Sequence, residues 1–120
     1  MNATVISKPN VEDTTLDILA TELPTIIAEV LEVPGGNLAP VKPGQISLEF
    51  TQASPRDVGS DIRIMVYAKN NNPRKSTEND RAKTILDKAV SVITASGKKY
   101  SVDIRLYLMD IGTAEHCSNA

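Results

Sequence analysis

The chain has 120 residues, with 13 basic against 15 acidic side chains, a net charge of −2 and 41% apolar residues. That supplies the core of one small domain, and the near-neutral balance offers no electrostatic case for binding DNA or RNA. Phe50, Tyr67, Tyr100 and Tyr107 are the only aromatics, too few for a platform that stacks single-stranded bases.

Ala3 to Ile6 is the first strand expected, closed by Lys8-Pro9-Asn10. Glu12-Asp13-Thr14-Thr15 is a capping-type cluster. From it runs an apolar stripe of Leu16, Leu19, Ala20, Leu23, Ile26, Ile27, Val30 and Leu31, whose spacing predicts an amphipathic helix. Pro24 inside that stripe deprives the helix of one backbone bond and is expected to kink it. Pro34-Gly35-Gly36 reads as the stop, and the stretch from Gly36 to Gly44 as a loop.

Ile46, Leu48 and Phe50 alternate with Ser47, Glu49 and Thr51, a half-buried strand. Ala53 to Ser60 connects it to a second alternating strand, Ile62, Ile64 and Val66 against Arg63, Met65 and Tyr67. Asn70-Asn71-Asn72-Pro73 predicts a turn, with Ser76 and Thr77 as caps of the helix that follows. Its stripe is Ala82, Ile85, Leu86, Ala89, Val90 and Ile93, closed by Ser96-Gly97. Val102, Ile104, Leu106 and Leu108 alternate with Asp103, Arg105 and Tyr107 as a last strand.

The expected class is therefore α+β. Two β-α-β units form a four-stranded mixed sheet with both helices on one face. Residues 1–112 make a single domain of two halves, about 1–55 and 60–112, and residues 113–120 are a flexible tail. Val5 and Ile64, Thr14 and Thr77, and Leu48 and Ile104 stand at similar offsets, although no residue-level repeat accompanies them. The second sheet face carries Ser47, Glu49, Thr51, Arg63, Met65, Tyr67, Asp103, Arg105 and Tyr107. It reads either as the solvated face of a monomeric sandwich or as a subunit interface in which charges pair.

Few residues offer chemistry. Pro34-Gly35-Gly36-Asn37 has the wrong spacing for a phosphate loop, so no nucleotide cofactor is expected. One histidine and one cysteine, His116 and Cys117 in the tail, make neither a zinc set nor a scaffolded dyad. No apolar run is long enough to span a membrane. Met1-Asn2-Ala3-Thr4 does not open a secretory leader, and a single cysteine forms no internal disulfide, so a cytoplasmic protein is expected. Arg74 and Lys75, placed just before a helix start, are candidates to hold a small anion. Capping residues alone also account for that stretch.

The doubled β-α-β plan resembles the tautomerase superfamily, which includes macrophage migration inhibitory factor and 5-carboxymethyl-2-hydroxymuconate isomerase. The closest local likeness is to the isomerase group. Leu23-Pro24-Thr25-Ile26 looks like its proline within the first helix. Tyr67-Ala68-Lys69 followed by Arg74-Lys75-Ser76-Thr77-Glu78-Asn79-Asp80-Arg81 looks like its third strand running into a basic helix start. The resemblance implies a homotrimer with the sheets facing inward. It also implies an N-terminal amine that shuttles a proton on a small 2-oxo or 2-hydroxy-unsaturated acid. Lys42, Arg74, Lys75 and Tyr107 would surround that substrate.

The sequence departs from the family pattern at the base. Asn2 follows Met1 where the family enzymes have proline, and Met1 is expected to be retained. Unperturbed primary α-amines titrate at roughly 7.7–8, so such a group has the range of a general base without the ring that fixes it. The stretch Ile46–Phe50 lacks the arginines of the isomerase group, with only Lys42 nearby. The alternative is a non-catalytic ligand-binding or assembly protein of tautomerase or ferredoxin-like fold.

Overall fold

A computed structural model describes residues 1–34 and 41–118. The stop signal at Gly35-Gly36, the expected loop as far as Pro40 and the last two tail residues lie outside the described residues.

The alternating segments form four strands: β1 (Asn2–Ser7), β2 (Ser47–Gln52), β3 (Ile62–Lys69) and β4 (Val102–Met109). They order as β2-β1-β3-β4. β1 and β2 are parallel, β3 and β4 are parallel, and β1 and β3 join the two pairs antiparallel. Each β-α-β unit thus keeps its two strands side by side. A split unit, as in the ferredoxin-like alternative, would place another strand between them.

Two long helices, α1 (Asp13–Leu31) and α3 (Glu78–Ala95), cover one face. Leu19, Leu23, Ile27 and Leu31 of α1 and Ile85, Ala89 and Ile93 of α3 are buried with Val5, Ile62, Ile64 and Val66 of the two central strands. The core is aliphatic throughout, as the few aromatics require. Pro24 sits within α1, which runs on to Leu31. Gly97, with φ at +84°, closes α3 in the left-handed conformation that glycine adopts without steric cost.

Three local expectations are corrected. The strand expected to be half-buried through Phe50 is more open, and Phe50 keeps 37% of its surface exposed. β2 is an edge strand with a neighbour on one side only. Val90 also stands outside the stripe of α3, whose seam runs through Ile85, Ala89 and Ile93 at four-residue steps. The turn at Asn70–Pro73 opens into a short helix, α2 (Asn72–Ser76), capped by Asn71, whose Oδ1 accepts the Arg74 N–H at 2.9 Å. Ser76 then ends α2, while Thr77 holds the N-cap position of α3 as expected, its carbonyl accepting the Arg81 N–H at 2.9 Å but its side chain making no cap bond. Both hydroxyls donate to the Pro73 carbonyl, and Thr77 Oγ1 also accepts from Arg81 Nε at 2.8 Å.

Candidate functional site

The sheet register builds the candidate site at the start of β1. Asn2 lies opposite Ser47 on one side and Tyr67 on the other. The Met1 carbonyl accepts the Ser47 N–H at 3.0 Å, which fixes the chain start against the residue before β2. β3 ends next to β4, and the Asn70 N–H donates to the Met109 carbonyl at 2.9 Å. Between these ends lies a cavity of about 570 Å³. It is half open to solvent and is lined by Met1, Asn2, Tyr67, Met109 and Ile111 to Ala114.

The chemistry of this cavity is sparse. Its lining side chains offer a phenol, an amide, a hydroxyl, two thioethers and aliphatic carbon. No lining side chain is cationic. Among the described residues no group of three metal-ligating side chains occurs.

The structure separates the residues singled out from the sequence. Met1 and Asn2 share the cavity. Tyr107 stands one layer away: its ring stacks on Tyr67 at 5.1 Å and 12°, and it borders a separate hollow with Arg105, Glu78 and Asn79. Lys42 is exposed on a 3-10 turn (Pro43–Gln45) that leads into β2, its backbone N–H held by Gln45 Oε1 at 2.9 Å. Lys75 pairs with Glu78 at 3.1 Å on the surface.

Arg74 occupies a different environment from the one its sequence position suggested. It is 5% exposed, its Nε donates to the Leu31 carbonyl at 3.0 Å, and a terminal nitrogen donates to the Lys69 carbonyl at 3.0 Å. Arg81 joins it, donating to the carbonyls of Val30 and Glu32. The two guanidiniums thereby satisfy the last carbonyls of α1, a helix with no basic residue in its own last turn. Burial, reinforced by the charge of Arg81, lowers the Arg74 pKa. Two N–H groups that a carboxylate would have used are committed to backbone.

Tyr67, Met109 and Ile111 to Ala114 escaped the sequence reading as site residues. Tyr67 needed the β1–β3 register, which alternation alone does not give. Ile111 carried the one local signal: it is a large apolar residue in an otherwise small, polar tail.

No family model and no curated protein matches the chain. Solved structures do, at the level of fold. Malonate semialdehyde decarboxylase aligns with a TM-score of 0.66 at 7% identity, over 100% of this chain and 93% of that one. N1, a member of the cis-3-chloroacrylic acid dehalogenase family, aligns at 0.64 and 11% identity, over 92% of this chain and 76% of its own. The F6 fused 4-OT, solved as an asymmetric trimer, aligns at 0.65 and 10%, over 94% and 92%. All three belong to the tautomerase superfamily. The strand order, the paired β-α-β units and these alignments agree, and the chain has the tautomerase-superfamily fold.

Proposed function

We propose that the protein is a cytoplasmic, homotrimeric isomerase of the tautomerase kind, kin to the 5-carboxymethyl-2-hydroxymuconate isomerase group. Residues 1–112 form its one domain. It acts on a small 2-oxo or 2-hydroxy-unsaturated carboxylic acid and needs no cofactor. The observation that carries this reading is the position of Met1 in the wall of the cavity, beside Asn2 and Tyr67. An α-amine there takes the proton from the enol oxygen or the α-carbon and returns it to the other atom. The Tyr67 phenol and the Asn2 amide supply polar contacts to the enol oxygen. Arg74 is committed to backbone carbonyls, Lys75 is paired with Glu78 and no cation of this subunit lines the cavity. The exposed Lys42 or a neighbouring subunit would have to supply the charge for a carboxylate, with Tyr107 backing Tyr67.

A second reading has its own support. Arg74 and Arg81 are spent on α1, and Asn2 stands where the family base is proline. A trimer that binds a small ligand without turning it over fits those two facts.

Enol–keto conversion of phenylpyruvate and of a hydroxymuconate separates the two. It is measured on wild type whose terminal residue has been identified by mass, on protein acetylated at the α-amine, and on Asn2→Pro. Turnover in wild type that acetylation abolishes supports the isomerase. Turnover in Asn2→Pro alone establishes the non-catalytic reading. Wild-type turnover that survives acetylation removes the amine from the mechanism.

A further inference from the structure

The segment after β4 reads as a tail by composition, yet part of it is a wall. Ile111, Gly112, Thr113 and Ala114 line the same half-open cavity as Met1 and Asn2. The segment leaves β4 from a fixed point, because the Met109 carbonyl is held by the Asn70 N–H. Beyond Met109 the restraint ends. Among the described residues, no hydrogen bond ties 110–116 to the sheet or the helices. Ile111 keeps 38% of its surface exposed, so its grip on the cavity is partial apolar contact. A segment without ladder bonds and with little buried surface opens at low free-energy cost, whereas the strands on the other sides of the cavity do not. At Gly112 a side-chain carbon would meet no atom within 4 Å, so that side of the segment faces open space.

We infer that Ile111–Ala114 is a displaceable wall of the Met1 cavity, and that Ile111 determines how large a molecule reaches the chain start. The bulk of Ile111 and the thioether of Met109 narrow the approach. A small molecule passes them, and a larger one enters only when the segment swings away from its hinge beyond Met109. The inference deepens the proposed function, since it concerns the same cavity and rests on that reading for the ligand. The wall itself is a property of the fold and does not depend on turnover.

Acylation of the Met1 α-amine at near-neutral pH reads the wall directly. The probes are two N-hydroxysuccinimide esters, one of acetate and one of a bulky biotin derivative, with N-terminal modification followed by peptide mass. In the full chain the bulky ester reacts more slowly than the acetyl ester by about fivefold or more, relative to the ratio on an unfolded N-terminal peptide. A chain ending at Asp110 loses that discrimination. Ile111→Ala weakens it and Ile111→Trp strengthens it, and these two variants decide the matter if the shortened chain does not fold. An equal ratio in full chain, Ile111→Ala and Ile111→Trp overturns the inference. Enol–keto turnover is measured on the same samples: its absence counts against the isomerase reading and leaves the wall standing.

Discussion

Arg74 and Arg81 belong to the second half of the chain, yet they act on the end of a helix in the first. Each donates to carbonyls of residues 30–32, more than forty positions away in sequence. Removing a buried donor leaves its acceptors desolvated and unpaired, the costly case for a hydrogen bond. Arg74→Met is therefore expected to lower unfolding stability by about 2–4 kcal/mol, read from urea midpoints at unchanged slope. Arg74→Lys should fall between it and wild type, because one ammonium group does not reach both Leu31 and Lys69 in the way a planar guanidinium does. Equal stability of Arg74→Met and wild type would return this arginine to the list of ligand-binding candidates.

Asp61 poses a second question at the same scale. Its carboxylate accepts the Ser101 N–H at 2.9 Å and the Ser101 hydroxyl at 3.1 Å, with Asn10 more distant at 3.4 Å. The backbone bond from Ser101 foremost, with the two side-chain bonds and the charge of Lys8, holds its pKa below the ordinary value of 3.8 against desolvation, the next largest effect. A depressed folded pKa contributes stability that is fully present above the unfolded value and lost as pH falls through the folded one. The acid limb of a stability–pH curve should thus steepen below about pH 4, and Asp61→Asn should flatten that limb while changing neutral-pH stability less. A limb of unchanged shape in Asp61→Asn would show that the clamp between β3 and β4 has another source.

The elements show where legibility ends. Periodicity of two marks β2, β3 and β4, a short run ending in a turn marks β1, and periodicity of 3.6 marks both long helices, because such elements bury one face against a neighbour and the pattern records it. Gly97 was readable for the same reason. A left-handed residue after the last turn calls for glycine, and Gly97→Ala is expected to cost about 1 kcal/mol from backbone strain alone, with open space around the added carbon. Leu23→Ala, at a fully buried position of α1, should cost roughly 2–5 kcal/mol by thermal or urea unfolding. The α2 turn, the exposure of Phe50 and the roles of Arg74 and Arg81 were not readable. Each depends on which element lies alongside, and a one-dimensional pattern holds no strand order. The site follows the same division. Met1 and Asn2 are reachable through the resemblance, whereas Tyr67 and Ile111 enter the candidate site only through register and the path of the chain after β4.

At the scale of the molecule, the sheet presents a face without helices. The register aligns Glu49, Thr4, Met65 and Arg105 in one row across it, and Thr51, Ile6, Arg63 and Asp103 in the next. Glu49, Asp103 and Arg105 stand on the edge strands, and Met65, Ile6 and the Asp57-paired Arg63 stand on the central ones. Such a face, with Met65 and Ile6 beside an internally paired Arg63, suits the inward-facing sheets of the proposed trimer. Sedimentation equilibrium should then give three times the chain mass of 12.9 kDa. Met65→Lys places a charge in the middle row of each sheet and should yield a monomer with unchanged far-UV circular dichroism. Arg63 is held by Asp57 at 2.7 Å and Arg105 lies 3.5 Å from Asp103 within the chain. If the exposed Glu49 meets Arg105 across subunits, the trimer should also weaken as salt rises from low to physiological ionic strength. An apolar contact without charge pairing predicts the opposite sign, with association constant or stronger in salt, so the slope of the association constant against ionic strength distinguishes the two interfaces. A wild-type monomer at every concentration tested would remove the trimer, and with it any contribution of a neighbouring subunit's cation to the Met1 cavity.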